Sequence, residues 1–215
     1  MTELFPPWPL FAAFLAASVV LAVTPGPAVL YIVTRSLSQG RGSGLTSVAG
    51  VALGNLGNAI GAAIGLAALL AISTTAFLIV KYIGALYLIY LGIQALRGPK
   101  SGSNDGIGNA RSWKIFRDGF VVALLNPKTA LFFAAFLPQF VRADQASGYQ
   151  TVVLGATFVA IAATTDTCYV LAADALTRLR SKRSSQAGPR FRWITGGTFI
   201  GLGIAAALTG SRSSR

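Results

Sequence analysis

Apolar residues run along the chain in six long segments, which are separated by short polar connectors. Each segment approaches or exceeds the roughly 20 residues that a helix needs to cross the hydrocarbon core of a membrane. The sixth segment is the shortest and fits this length least well. The segments cover approximately residues 9–33, 45–70, 74–96, 115–140, 150–176 and 193–210. The pattern predicts an all-α polytopic membrane protein with six transmembrane helices.

The composition supports a membrane protein rather than a soluble one. Of the 215 residues, 53% are hydrophobic and 11% are charged, whereas a soluble domain carries about 25% charged residues. The N-terminus has Glu3 in place of the basic start of a signal peptide, and its apolar run continues to Val33, so we expect a retained first helix. The net charge of +12 comes from basic residues between the apolar segments, which argues against nucleic acid as a partner.

Lys and Arg are distributed unevenly between the two sides of the predicted membrane protein. The first, third and fifth connectors hold most of them, and only Arg142, Arg212 and Arg215 lie on the opposite side. The positive-inside rule then places the odd connectors in the cytoplasm, next to anionic lipids, and both termini outside the bacterial inner membrane. If the sixth segment did not span, the C-terminus alone would move inside.

Two of the apolar segments are interrupted at depth by proline motifs, one in the first segment and one in the fourth. Pro25 and Pro127 lie in the first predicted helix of each three-helix half, and the predicted topology makes these two helices run in opposite directions. Such matched breaks in an inverted repeat point to a central binding site in secondary transporters. We therefore predict one transmembrane domain over residues 1–215. It consists of a repeat over about 9–96, a cytoplasmic loop over 97–114 and a repeat over about 115–210.

Each break predicts the start of a half-helix within the membrane. Thr24 and Asn126 are suitable N-cap residues, and Pro25 and Pro127 suit the first helical turn. Helix N-termini expose unpaired N–H groups and a partial positive charge, to which Lys128 adds a full one. This arrangement favours an anionic group such as a carboxylate. The alternative is that the prolines only kink the helices.

Asp166 is the ionisable residue expected at a depth similar to that of Lys128. It lies about ten residues from the cytoplasmic end of the fifth segment, or about 15 Å along a helix. Because a lone ion at that depth is costly, we predict that Lys128 and Asp166 pair in the empty state. The pair is either purely structural, or Asp166 binds a substrate ammonium and carries a coupling proton, with Thr164, Thr165 and Thr167 as hydrogen-bonding neighbours.

Further polar and small residues fall on the predicted helices. Gly50, Gly54, Gly57, Gly61 and Gly65 recur every three or four residues and predict close packing by another helix. Asn55 and Asn58 lie on the same helix, and buried amides need partners, so we expect one of them in the cavity. Asp174 lies nearer the interface, as a solvated gate residue, and Asp118 is expected to link to neighbouring arginines.

The residue inventory limits the chemistry that the chain can perform. There is no histidine, and Cys168 is the only cysteine. Ser-His and Cys-His nucleophile pairs, a redox Cys pair and a structural zinc site are therefore ruled out. We expect no cofactor, no resident metal and no enzymatic activity.

Two stretches closely resemble the LysE/RhtB family of bacterial amino-acid exporters: VTPGPAVLYIVTRSLSQGRGSGLTSVAGVALGN and FVVALLNPKTALFFAAFLPQF. The resemblance covers nearly the whole chain, and the combination of PGP with NPK is its specific feature. It implies efflux of amino acids across the inner membrane, driven by the proton gradient. Many relatives have an Asn after TPGP, where this chain has Ala28, so one polar contact and the substrate would differ.

The residues and the resemblance together predict an amino-acid exporter that works by proton antiport. A zwitterion would place its carboxylate at the half-helix termini and Lys128, its ammonium at Asp166, and its side chain against Phe132, Phe133 and Phe136. The predicted substrate-binding residues are Thr24, Pro25, Gly26, Pro27, Asn58, Asn126, Pro127, Lys128 and Asp166. A divalent-cation exporter is the alternative, although such cations usually need two or more carboxylates. The sequence does not decide whether the chain is instead a scaffold protein without transport activity, or whether it forms a homo-oligomer.

Overall fold

The computed structural model describes residues 6–64, 74–97, 109–140, 148–181, 193, 197–201, 204 and 207–208. Within these residues every regular element is helical and there is no strand, which confirms an all-α protein. The helices are α1 (Trp8–Val23), α2 (Pro27–Gln39), α3 (Arg41–Ala63), α4 (Thr74–Arg97), α5 (Asn109–Leu124), α6 (Pro127–Leu131) and α7 (Gly148–Ser181). A π-helical turn, Phe132–Phe136, and a 3₁₀ turn, Leu137–Phe140, follow α6.

Part of the predicted membrane pattern is visible as helix length. Within the described residues, Gln150–Leu179 is long and apolar enough to cross a membrane alone. Helices α1 and α2 meet the same criterion as a pair that is bent by 48° at a short break, as expected of a span interrupted near its centre. Most of the predicted cytoplasmic loop, residues 98–108, and much of the sixth segment lie outside the described residues.

The first predicted connector, residues 34–44, is helical rather than an open polar loop. Helix α2 continues to Gln39 and α3 begins at Arg41, so Gly40 is the only residue between them. Gly40 has φ +85°, in the left-handed region that glycine adopts without a steric penalty. A single residue therefore separates two helices that contact each other, and both extend beyond their apolar stretches.

Helix α3 is central to the packing, because it contacts α2, α5 and α7. The predicted glycine ridge is confirmed at two positions where a backbone comes close. A Cβ on Gly50 would overlap the carbonyl of Phe116, and a Cβ on Gly54 would lie 2.5 Å from the carbonyl oxygen of Phe120. Gly65 lies outside the described residues. The small residues thus allow α5 to lie directly against α3.

Alanine at Gly50 is expected to destabilise the protein by about 1–3 kcal/mol, since overpacking at a rigid backbone contact forces helices apart. Alanine at Gly42, where an added Cβ meets nothing within 4 Å, is the matched control and should be neutral or slightly stabilising. Thermal unfolding of the two purified variants in detergent measures the difference. Equal melting temperatures for Gly50→Ala and Gly42→Ala would contradict the close α3–α5 packing.

Two buried apolar clusters meet inside the helix assembly. One contains Ala28, Tyr31 and Ile32 of α2 together with residues of α3, α4, α5 and α7. The other joins α1, α3, the π-helical turn and α7. In this second cluster the ring of Phe132 lies 5.1 Å from that of Phe158. Residues of both clusters line a single cavity, which therefore lies where the clusters adjoin.

Candidate functional site

The first helix break has a different register from the one predicted. Thr24 ends α1 rather than starting α2, and its Oγ1 donates a hydrogen bond to the carbonyl of Val20 at 2.6 Å. Gly26 is the N-cap of α2, without a side-chain hydrogen bond, and Pro27 occupies its first turn. The prediction of Thr24 as N-cap was therefore wrong. Pro25 favours an extended conformation at Thr24, and the helix resumes only at the second proline.

The second break is built as predicted. Asn126 is the N-cap of α6, and its Oδ1 accepts a hydrogen bond from the backbone N–H of Lys128 at 3.1 Å. Pro127 takes the first helical position, where a missing N–H costs nothing. Helix α5 ends at Leu124, so the chain is interrupted for only two residues before it resumes.

Lys128 connects the two breaks. Its Nζ donates a hydrogen bond to the carbonyl of Leu21 at 2.7 Å and another to the carbonyl of Thr24. Tyr169 of α7 donates from its hydroxyl to the carbonyl of Val23 at 2.7 Å. These carbonyls belong to the end of α1 and have no partners within that helix. Side chains of α6 and α7 therefore replace the hydrogen bonds that the break removes.

Gly26 provides the space that the lysine occupies. A Cβ at Gly26 would lie 3.2 Å from Cδ of Lys128 and 3.7 Å from its Nζ. The backbone of Gly26 is extended, with φ −137°, so any residue could adopt this conformation. A side chain would instead press on the lysine stem and shift it by a few tenths of an ångström, so glycine is favoured here by contact rather than by backbone geometry.

The cavity at the breaks contains both predicted charged residues. Its volume of about 30 Å³ can hold about two water molecules. Asp166 is only 4% exposed. Of the predicted site residues, the cavity is lined by Gly26, Asn126, Lys128 and Asp166. The remaining lining residues are Leu21, Ala22, Ala28, Val29, Val51, Asn55, Thr129, Phe158 and Ala162.

The predicted ion pair between Lys128 and Asp166 is not formed. Within the described chain, no nitrogen–oxygen contact of 4.0 Å or less joins the two side chains. The reason is the competing set of carbonyls at the end of α1, which binds the ammonium and carries the negative end of that helix dipole. The two charges nevertheless line one cavity, which leaves the carboxylate facing the space between the breaks.

The two asparagines of α3 have different surroundings. Asn58 donates from Nδ2 to the carbonyl of Ala123 at 3.0 Å, beside the second break, and does not line the cavity. Asn55 lines the cavity, is 4% exposed, and has an Oδ1 without a hydrogen-bond partner. One amide does lie in the cavity, as expected, but choosing Asn58 for that position was wrong.

Several other predicted neighbours lie away from the cavity. Thr24, Pro25, Pro27 and Pro127 shape the breaks without lining it. The hydroxyls of Thr164, Thr165 and Thr167 bond to carbonyls of their own helix. Phe132 and Phe133 are buried in the core, Phe136 is half exposed, and Phe158 supplies the aromatic wall instead.

A second polar cluster joins α2, α4 and α5. Asp118, only 1% exposed, contacts Arg35 at 3.2 Å and Arg117 at 3.5 Å, and accepts a hydrogen bond from Tyr87 at 3.0 Å. The predicted link between Asp118 and neighbouring arginines is confirmed. Asp174 pairs with Arg178, four residues along α7, at 2.9 Å.

Among the described residues, no group of three or more His, Cys, Asp or Glu side chains could hold a metal ion. Instead, Asp118 pairs with two arginines and Asp174 with one, and Asp166 lies in the cavity with a lysine. A site for a hard divalent cation would need several oxygen ligands in one place.

The family profile described as LysE type translocator matches residues 19–210, a region that includes both breaks and the cavity. The chain belongs to this family. It is therefore a membrane transport protein, and the resemblance seen in the sequence is confirmed.

The relatives include a Vibrio cholerae membrane protein and two Salmonella efflux proteins. A Vibrio cholerae protein named "Uncharacterized membrane protein" is 32% identical over 197 residues, 91% of this chain and 95% of that protein. The "Homoserine/homoserine lactone efflux protein" of Salmonella typhimurium is 33% identical over 150 residues, 69% of this chain and 73% of that protein. The protein of the same name from Salmonella typhi matches to the same extent. No solved structure matches this LysE type translocator.

Proposed function

We propose that the protein is a secondary transporter that exports small amino acids across the bacterial inner membrane by proton antiport. The observation that carries this proposal is one cavity at two helix breaks that contains an ammonium, Lys128, and a carboxylate, Asp166. A zwitterion presents the opposite charges to these two groups. The family membership supports transport, and the named relatives support amino acids as the cargo.

The substrate carboxylate would bind at the start of α2 and at Lys128. Ala28 and Val29 line the cavity as the second and third residues of α2. Their N–H groups are among those that a helix leaves without internal partners. Lys128 holds the carbonyls at the end of α1 and has one further N–H to offer, because an ammonium has three donors.

The substrate ammonium would bind Asp166. The names of the Salmonella relatives combine homoserine with its lactone; both compounds have an amino group, but the lactone has no free carboxylate. The amino group is thus the feature that the two share, and a deep carboxylate is its natural partner. Asp166 would also carry the coupling proton, because the carboxylate can hold either a proton or the ammonium on its way through the cycle.

Transport requires the cavity to enlarge. Its present volume of about 30 Å³ admits about two waters, which is less than an amino acid occupies. We propose that the two halves, residues 9–96 and 115–210, rock against each other around this site as inverted repeats. The loop over 97–114 would then face the cytoplasm with the other basic connectors, next to anionic lipids, and both termini would lie outside.

Efflux from proteoliposomes tests this function. Vesicles containing the purified protein are loaded with labelled amino acids, one at a time, and efflux is followed with and without an imposed pH gradient. The expected result is export of a small neutral amino acid that accelerates with the gradient and stops when a protonophore collapses it. No efflux of any amino acid, from protein shown to be folded, would contradict the proposal and make divalent cations the next cargo to test.

A further inference from the structure

We propose that Asn55 is a specificity-determining residue of the cavity, whose side-chain carbonyl accepts a hydrogen bond from a neutral donor on the side chain of the exported amino acid. This inference rests on the proposed function and adds a third point of recognition to it. A hydroxyl is the simplest donor of this kind. The inference assigns to Asn55 a role in choosing between substrates of equal shape.

The side chain of Asn55 has the position and the unused capacity for this role. It is 4% exposed and lines the cavity with Asn126, Lys128 and Asp166. Its Oδ1 is buried and has no hydrogen-bond partner in the described protein. A buried amide oxygen that stays unpaired is costly, so a ligand that donates to it gains affinity over one that cannot.

The other polar groups at the breaks already have structural partners or opposite charges to meet. Asn126 caps α6 by accepting a hydrogen bond from the backbone N–H of Lys128, and Asn58 donates to the carbonyl of Ala123. In the proposed complex, Lys128 meets the substrate carboxylate and Asp166 its ammonium. Among the described residues that line the cavity, Asn55 has a buried Oδ1 without a hydrogen-bond partner, and enlargement of the cavity would let this oxygen meet the third part of an amino acid, its side chain.

The rest of the cavity favours a neutral donor over a cationic one. Apart from the polar groups named above and Thr129, the lining residues are Gly26 and apolar side chains of α1, α2, α3 and α7. Among the described residues of the lining, Asp166 is the only carboxylate, and the substrate ammonium would neutralise it. A second cation on the substrate would be left without a counter-ion beside Lys128, which is unfavourable in a buried site. A hydroxyl satisfies the amide without adding charge.

Isosteric substrate pairs test the inference directly. Homoserine and norvaline, like threonine and valine, differ only by a hydroxyl in place of a methyl group. We expect the wild-type protein to export the hydroxyl member of each pair at least about 10-fold more efficiently, because the unpaired amide rejects the methyl member. Leucine has nearly the same shape as asparagine. Asn55→Leu should therefore reduce this ratio to near one, mainly by slowing export of the hydroxyl member.

Asn58→Leu is the matched control, since it removes an amide from the same helix outside the cavity. It should lower the melting temperature and the export of both members together, and leave their ratio unchanged. If Asn55→Leu fails to fold, Asn55→Ser and Asn55→Ala form a second comparison of nearly equal size. The serine variant retains an acceptor and should keep a higher ratio than the alanine variant.

Four results would overturn the inference. Equal export of both members by the wild-type protein would do so, as would equal losses for both members in Asn55→Leu. Export of other amino acids but of neither pair would contradict the role of Asn55 and leave the proposed function intact. Absence of export for every amino acid would instead contradict the proposed function, and the inference with it.

Discussion

Lys128→Met is expected to reduce amino-acid export by about 10-fold to 150-fold. The change removes the charged partner of the substrate carboxylate, and a hydrogen bond to a charged group contributes about 1.5–3 kcal/mol. It also leaves the carbonyls of Leu21 and Thr24, which Lys128 binds in the structure, without their donor. Initial rates of gradient-driven efflux from proteoliposomes, normalised to the amount of folded protein, measure the loss.

Tyr169→Phe separates the two effects of the lysine substitution. The tyrosine hydroxyl also bonds to the end of α1, at the carbonyl of Val23, but brings no charge and does not line the cavity. This variant should lose about 1 kcal/mol of stability and retain most of the transport. If Tyr169→Phe abolished export as completely as Lys128→Met, the lysine would act only through the helix end and its proposed contact with substrate would be contradicted.

Asp166→Asn is expected to lose gradient-driven export, by about 30-fold to 100-fold, and to make the remaining flux insensitive to the pH gradient. Asparagine has a similar shape, but it cannot carry the coupling proton and binds an ammonium without a charge. The measurement compares efflux at equal pH with efflux under an imposed gradient, in wild-type and variant vesicles. A flux that still responds fully to the gradient would exclude Asp166 as the proton carrier.

Asp174→Asn controls for the loss of a carboxylate from α7. Asp174 lies on the same helix and pairs with the exposed Arg178 at 2.9 Å, an arrangement that contributes only about 0.3–0.5 kcal/mol. We expect export and its gradient dependence to stay within about 2-fold of the wild-type values. A large loss in this variant as well would indicate that any neutralised carboxylate of α7 impairs the protein.

The sequence was sufficient to locate both breaks, because proline and N-cap residues within long apolar segments have few other interpretations. It was also sufficient to fix the register of the second break, where one proline follows one good cap, Asn126. In the first break two prolines suit the first turn equally well, and only the structure shows that Pro27 takes that position. The residue types alone do not predict that the hydroxyl of Thr24 donates a hydrogen bond to the carbonyl of Val20.

The contacts of the cavity residues depended on packing that a sequence does not specify. Lys128 and Asp166 have similar predicted depths, but the lysine bonds to carbonyls that exist only because α1 ends beside it. Asn55 and Asn58 lie three residues apart, so they point about 60° apart around the helix axis. Helix α5 lies close to α3 at Gly54. The amide of Asn58 therefore contacts the backbone carbonyl of Ala123 in α5, whereas Asn55 lines the cavity.

The central claim is that this cavity binds the exported amino acid, and ligand-induced thermal stabilisation tests it most directly. The melting temperature of the purified protein in detergent is measured with increasing amino acid for the wild type, Lys128→Met, Asp166→Asn and Asp174→Asn. A ligand that binds the folded state raises the melting temperature with concentration. We predict this rise for the wild type and Asp174→Asn, and its absence in folded Lys128→Met and Asp166→Asn. Equal stabilisation of all four proteins would place the binding site elsewhere.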